Sequence, residues 1–400
     1  MKTEKLDFCS ENAVAFDRCI GCQACVDICP VGAISFSYDE WGSGSAYLSS
    51  GTACVNCGRC KKICPAIEQG FNPIAENALA VISKHNSRTG SSGGVFYEMA
   101  KRFISDGGVV FGAAFDEELR LVHKAAKTLP ELTALCKSKY LHSDMSGVYK
   151  EIRSLLASGR RVMFVGTPCQ TGAVKNLFYD QFGDSLWLVD FLCHGTGTQN
   201  VFDACVRAEE AKLGGKITEF SFRSKSRKAE HSYSYFLKKD NKTLKKSGYS
   251  FEFPYYYQYL KYSIFNEACY SCAYAGQGRV GDITLGDFWG IQRYNKALHD
   301  TKGVSMISLN TSRGKEMFDM IKDNCEIYAY PLEYASDHNE AFKKPTARPK
   351  SRDTLERVLH EQGEAALVSA MSCSKVKKEL IYAKIPKLVK KIYSFLRGRQ

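Results

Sequence analysis

Nowhere does the chain contain the run of about 18 uncharged apolar residues that a bilayer-spanning helix requires. Met1 to Ala15 mix acids with bases and form no apolar core, so no export signal is visible. A reducing cytoplasm is therefore the expected location. No G-x-G-x-x-G follows a predicted strand, which removes the sequence mark of a Rossmann dinucleotide site. The C-x3-C-x2-C of radical SAM chemistry is missing too, since the third residue after Cys29 is Gly32 and after Cys64 is Ile67. No hydrogenase or formate-dehydrogenase metal site is recognisable. Nucleic-acid motifs are also absent, although the formal charge is +12. That charge is local. From Lys375 to Gln400 nine bases face the single acid Glu379, so this tail carries eight of the twelve positive charges and the body is only mildly basic.

The chain does hold cysteine, 17 in 400 residues, and eight of these are spaced tightly. Cys19, Cys22, Cys25 and Cys29 precede Pro30, and Cys54, Cys57, Cys60 and Cys64 precede Pro65. Each run reads C-x2-C-x2-C-x3-C-P, the spacing that holds a [4Fe-4S] cube in two-cluster ferredoxins. The tight loop wraps three iron corners and the fourth cysteine serves the neighbouring cube. Cluster one is thus assigned to Cys19, Cys22, Cys25 and Cys64, and cluster two to Cys54, Cys57, Cys60 and Cys29. Zinc uses paired C-x2-C knuckles and stops at four ligands, so it does not account for two proline-closed runs.

Residues 1–72 are expected to form this module, with a strand over Ala33 to Phe36 and a hairpin and loop over Ser37 to Ala53. From Ala78 strands and helices alternate. Strands are expected over 78–83, 108–115, 161–165 and 185–192, with helices over 94–106, 148–158 and 170–178. Residues 216–250 read as antiparallel, with strands over 217–222 and 232–238 followed by a turn rich in Lys and Gly. Beyond Lys343 the chain reads as helical and basic. The expected fold class is a multidomain α+β and α/β chain: a bacterial-type 2[4Fe-4S] ferredoxin module (1–72), a mixed-sheet α/β core in two parts (75–155 and 156–345), and a helical basic tail (346–400). Apolar residues and lysines alternate at helical spacing from Val376 to Leu396. This stretch is either an amphipathic helix drawn to anionic lipid at the inner membrane face or a solvated, partner-facing helix.

Four more cysteines stand out: Cys169 in Thr-Pro-Cys-Gln, Cys193 in Cys-His-Gly, and Cys269 with Cys272 as C-x2-C. Two of them follow predicted buried strands, where side chains converge on a site. The residues leave three readings open: a third cluster, a redox pair, or buried structural thiols. Ser91 to Gly94 is a candidate phosphate cradle, because its glycines admit a close approach and a helix begins just after it. A simple helix cap explains the same residues. Tyr255, Tyr256, Tyr257, Tyr259 and Tyr262 read as helix packing, with an aromatic wall as the minor alternative.

The order of motifs resembles the coenzyme F-420 hydrogenase/dehydrogenase beta-subunit family with a ferredoxin module in front. The matching stretches are Ser91 to Phe96, Lys137 to Tyr140, Val165 to Gln170, Asp190 to Gly195, Cys269 to Cys272 and Asp282 to Gly290. The resemblance implies a flavin-dependent reductase with FAD beside a third [4Fe-4S] cluster held by Cys169, Cys193, Cys269 and Cys272. Candidate flavin contacts are Ser91, Ser92, Gly93, Gly94, Lys139, Tyr140, Thr167 and Asp287. His194 is the acid/base candidate, or else it tunes the adjacent cluster through a hydrogen bond. The implied activity passes electrons between ferredoxin-type clusters and FAD, in either direction, for a two-electron reaction of a small substrate or a deazaflavin or nicotinamide carrier. Ferredoxin or another redox protein is the expected partner. The alternative is a non-catalytic electron-transfer subunit of a larger complex.

Overall fold

The computed structural model describes residues 18–49, 54–73, 75–86, 89–224, 231–276, 278–298, 303–376 and 378–380. The basic stretch from 381 lies outside the described residues, as do 50–53 of the expected hairpin loop. Among the described residues no helix is long and apolar enough to cross a membrane.

An eight-stranded mixed sheet organises the core. Its order is Cys325–Pro331, Asn77–Ser83, Ser305–Leu309, Ile283–Asp287, Leu186–Phe191, Val162–Gly166, Val109–Phe115, Leu121–Ala126. Four adjacent strands, from Ile283–Asp287 to Val109–Phe115, run parallel, and the flanking pairs are antiparallel. The parallel strands are buried on both faces, and their sequences are accordingly near-continuous apolar runs such as Val109-Val110-Phe111 and Val162-Met163-Phe164. The expected parts 75–155 and 156–345 share this one sheet, because Val109–Phe115 pairs with Val162–Gly166.

Helices cover the sheet as the periodicity predicts. Val95–Ser105 buries Val95, Met99, Ala100 and Phe103 along one stripe. Pro168–Phe182 opens on Pro168, whose fixed φ suits a first helical turn. Leu129–Leu135, not anticipated from the sequence, starts with a Thr128/Glu131 capping box. A separate antiparallel sheet joins Lys216–Phe222, Ser232–Lys239 and Lys242–Tyr249. Its third strand replaces the expected Lys- and Gly-rich turn. Lys242, Lys245 and Lys246 lie on the exposed edge of that strand, which masks its sequence pattern and protects the edge from pairing.

The cysteine module does not stand apart. Its Ala24, Ile34, Ala46 and Ile63 pack in one apolar cluster with Phe111, Tyr149, Val174 and Phe178 of the core. Tyr149 donates its hydroxyl to the Cys22 carbonyl at 2.6 Å, and Gln23 Nε2 donates to Asp144 at 2.8 Å. On the far side Arg352 of helix Lys350–Met371 stacks its guanidinium 3.7 Å from the centre of the Trp41 ring. The C-terminal helix thereby clamps the hairpin of Ile34–Tyr38 and Gly44–Leu48 against the body.

Candidate functional site

The parallel strands deliver the site. In open parallel sheets side chains at the carboxyl ends of neighbouring strands project into a common crevice. Strand Val162–Gly166 runs into Thr167 and Cys169, strand Leu186–Phe191 into Cys193 and His194, and strand Ile283–Asp287 ends on Asp287 itself. The short 3-10 turn Glu267–Ser271 brings Cys269 and Cys272 to the same place. The four thiols Cys169, Cys193, Cys269 and Cys272 line one small cavity together with Ile20, Thr167 and Tyr274. Burial raises every one of them: Cys169 to about 12, Cys269 to about 11, Cys272 upward and Cys193 furthest, with mutual repulsion adding to the effect on Cys169, Cys193 and Cys269. Four crowded thiols this hard to ionise are stable as thiolates only against a strongly positive centre. No three His, Cys, Asp or Glu among the described residues converge tightly enough for a single ion. A cube, with one ligand per iron corner, needs its four thiolates more widely spread.

In the module, Cys22 is crowded by Cys25, Cys19 and Cys64 once burial has raised it, and Cys60 has Cys57 and Cys54 as its charged neighbours. The groups agree with the interleaved assignment for cluster one and for three of the four cluster-two cysteines. Cys29 Sγ accepts a hydrogen bond from Ala33 N at 3.2 Å. All sixteen described cysteines are free thiols. Two buried tyrosines bridge the module and the four-thiol cavity. Tyr149 and Tyr274 each have Cys22 and Cys169 among their electrostatic neighbours, and Tyr274 donates its hydroxyl to Pro65 O at 2.9 Å.

A second, far larger cavity of about 610 Å³ adjoins the first. This is the volume expected for a cofactor or substrate site. Thr167, Cys193, His194, Gly195 and Thr196 line both cavities and form the wall between them. Ser91, Ser92, Gly94, Lys139, Tyr140, Thr167, His194 and Asp287 all line the large one. Gly93 does not. It packs behind the wall, where a Cβ would fall 2.3 Å from Val81 O, and its N–H donates to Ser305 Oγ at 2.9 Å. Gly94 adopts a left-handed φ of 84° and no side chain caps helix Val95–Ser105, so its first N–H groups face the cavity wall. Ser91 Oγ accepts from Ser138 N at 2.7 Å, tying the cradle to the Lys137–Tyr140 loop.

Lys139 donates its ammonium to the carbonyls of Ala134 and Cys136 at 2.8 and 2.7 Å, and burial pulls its pKa down to about 7. Tyr140 stacks on Tyr259 at 4.2 Å, and burial raises its phenol. Tyr255 and Tyr256 are wholly buried in the core, as packing predicts, while Tyr259 and Tyr262 also line the cavity. Asp287 forms an ion pair with Arg223, a cavity residue that the sequence did not single out. His194 stacks on Trp289 at 5.1 Å, and its buried Nε2 has no hydrogen-bond partner. Burial lowers its pKa, so the ring is neutral near pH 7.

A buried polar chain behind the shared wall also escaped the sequence. His123 Nε2 reaches Val165 O at 3.1 Å and Nδ1 reaches Ser143 Oγ at 2.7 Å. A carbonyl only accepts, so Nε2 carries the proton and Nδ1 accepts from Ser143. Gln170 Nε2 donates to Ser143 Oγ at 3.0 Å, Thr167 Oγ1 donates to Gln170 Oε1 at 3.0 Å, and Thr167 Oγ1 lies 3.1 Å from Cys169 Sγ. The chain locks the strand-to-helix turn that presents Cys169. His123 and Gln170 lie far apart in sequence and neither belongs to a spacing motif.

Comparison with known proteins agrees with this anatomy. Residues 159–334 match the family described as the C terminus of the coenzyme F-420 hydrogenase/dehydrogenase beta chain, and residues 18–67 match the 4Fe-4S dicluster domain. An uncharacterized ferredoxin of Methanocaldococcus jannaschii is 39% identical over 55 residues, which are 14% of this chain and 69% of that protein. A chain of the xenon-derivatized F-420-reducing [NiFe] hydrogenase complex from Methanosarcina barkeri aligns over 73% of this chain and 94% of its own length. That alignment has 15% identity and a TM-score of 0.45. The dicluster match contains all eight module cysteines, and the beta-subunit match contains Cys169, Cys193, Cys269, Cys272 and the shared wall. The chain is an iron-sulfur electron-transfer protein that belongs to the coenzyme F-420 hydrogenase/dehydrogenase beta-subunit family and carries a 4Fe-4S dicluster domain at its N-terminus.

Proposed function

We propose that this oxidoreductase holds FAD in the large cavity and a third [4Fe-4S] cluster on Cys169, Cys193, Cys269 and Cys272, and that it works in the cytoplasm. The observation that carries the reading is the wall shared by the two cavities, in which Cys193 is at once a thiol of the four-thiol set and a lining residue of the large cavity. A flavin, when bound, couples one-electron carriers to two-electron hydride chemistry. The substrate class is a small two-electron acceptor or donor, or a deazaflavin or nicotinamide carrier.

The residues have distinct tasks. Ser91, Ser92 and Gly94 offer hydroxyl and backbone N–H groups to phosphate at a helix start, and Gly93 lets that segment lie flat against Ser305. Lys139, cationic below about pH 7, adds charge to the same wall. Tyr140 and Trp289 present ring faces and exclude water. Arg223 fixes the Asp287 carboxylate at the strand end. His194, with its unpartnered Nε2 between the cavities, donates a hydrogen bond to whatever occupies either one. Tyr149 and Tyr274 fill the gap between the Cys22 side of the module and Cys169. The eight module cysteines hold two clusters, in the interleaved sets Cys19, Cys22, Cys25, Cys64 and Cys54, Cys57, Cys60, Cys29.

The test is the flavin released on denaturing anaerobically purified protein. About one FAD per chain is expected from the two-cavity arrangement. Full iron with no flavin, even after FAD is offered, contradicts the proposal and leaves an electron-transfer subunit.

A further inference from the structure

The two halves of the cysteine module differ in exposure and in charge. Cys22, Cys25 and Cys64 are buried against the core, while Cys54 and Cys57 are exposed. Between those two thiols Val55 is 57% exposed, and Val31, two residues after Cys29, is 41% exposed. The short helix Arg59–Lys62 follows directly and places Arg59, Lys61 and Lys62 around Cys60. No acid occurs from Cys54 to Ile67. Among the described residues Arg59 and Lys62 take part in no ion pair. In the first half of the module the acids are engaged elsewhere. Asp27 lies 3.7 Å from Arg153, Asp39 accepts from Ser43 N within its own hairpin, and Glu40 lies 3.4 Å from His360.

From this we infer that the Cys54–Lys62 face is the docking surface for an acidic one-electron carrier protein. The inference rests on the reading of the module as the place where electrons enter. An apolar centre ringed by charge of one sign suits a brief, steered encounter with a partner of the opposite sign. The face also carries the most exposed thiols of the module, and electron transfer weakens steeply with distance. In the productive encounter the reduced carrier loses one electron, its own iron or flavin centre is oxidised by one unit, and one [4Fe-4S] centre of the module goes from 2+ to 1+. No bond or proton changes place.

The experiment uses full-length anaerobic holoprotein and an acidic plant-type ferredoxin as the probe. Affinity for oxidised ferredoxin is measured by calorimetry at low and at high salt for the wild type and for the double variant Arg59→Glu with Lys62→Glu, with iron content checked in both. Charge reversal is expected to weaken binding roughly tenfold or more at low salt, with the gap closing as screening sets in. The same variant is expected to gain binding to a basic c-type cytochrome, which a merely unfolded protein does not do. Unchanged ferredoxin affinity with intact iron overturns the docking surface. If ferredoxin binds as expected but its electron never reaches the module, the entry reading fails and the docking surface stands.

Discussion

The two places where cysteines gather are built in opposite ways. In the module one stretch of about fifty residues supplies all eight thiols, through tight local loops that open to solvent at Cys54 and Cys57. In the core four thiols come from three separate segments spread over a hundred residues, and each is raised by burial. Local loops can be rebuilt around iron after damage. The core set exists only when the parallel strands are in register, so its occupancy and the fold of the sheet are coupled.

The strongest way to break this comparison is to remove one thiol from each place. Cys193→Ser is expected to abolish the third cluster and about a third of the iron, whereas Cys57→Ser leaves the core cluster signal intact. Iron analysis with low-temperature electron paramagnetic resonance distinguishes them. Loss of the core signal in both variants would mean that the two sets are not independent.

The polar support of Cys169 offers a second test. Burial lowers the pKa of His123 to about 4, below its ordinary value near 6.5 in the unfolded chain. A base whose folded pKa is depressed contributes stability that is fully present above about pH 6.5 and is lost as the pH falls toward 4. The shift corresponds to about 3 kcal/mol. The stability gap between wild type and His123→Gln, from urea denaturation, is expected to shrink across that window. A gap that stays constant with pH would show that the His123 ring is not buried neutral.

Much of this contrast was legible beforehand. Spacing alone displays the eight module cysteines, because a local loop must be written locally. The parallel strands were visible in runs such as Val109 to Phe111. Cys169, Cys193, Cys269 and Cys272 needed a resemblance to be grouped, since only a folded sheet brings them together. His123, Gln170 and Arg223 were silent because a buried polar residue has no period and no motif. The third strand of the small sheet was hidden by the lysines on its exposed edge.

The clamp between the two regions gives a smaller effect. Arg352 is 1% exposed and lies over Trp41, so Arg352→Met should cost about 2 kcal/mol. Hydrogen exchange should rise first in the hairpin around Trp41. Unchanged protection there would show that the helix does not hold the module.

Smaller still is the contribution of Lys139 to the cavity. Lys139→Met is expected to weaken flavin retention roughly tenfold at pH 6, about 1.4 kcal/mol for one charged contact. The wild type should lose this advantage as pH rises through about 7, where the ammonium gives up its proton. A pH-independent difference, measured by flavin fluorescence on dilution, would assign Lys139 to bracing Ala134 and Cys136 only.

The central claim is that the four core thiols stand between the module and the cavity occupant. Stopped-flow photoreduction of the module, followed at flavin wavelengths in wild type and in Cys193→Ser reconstituted with FAD, tests it most directly. The account predicts that the variant keeps its flavin bound and oxidised while the module clusters bleach. Flavin reduction at the wild-type rate in that variant would contradict it.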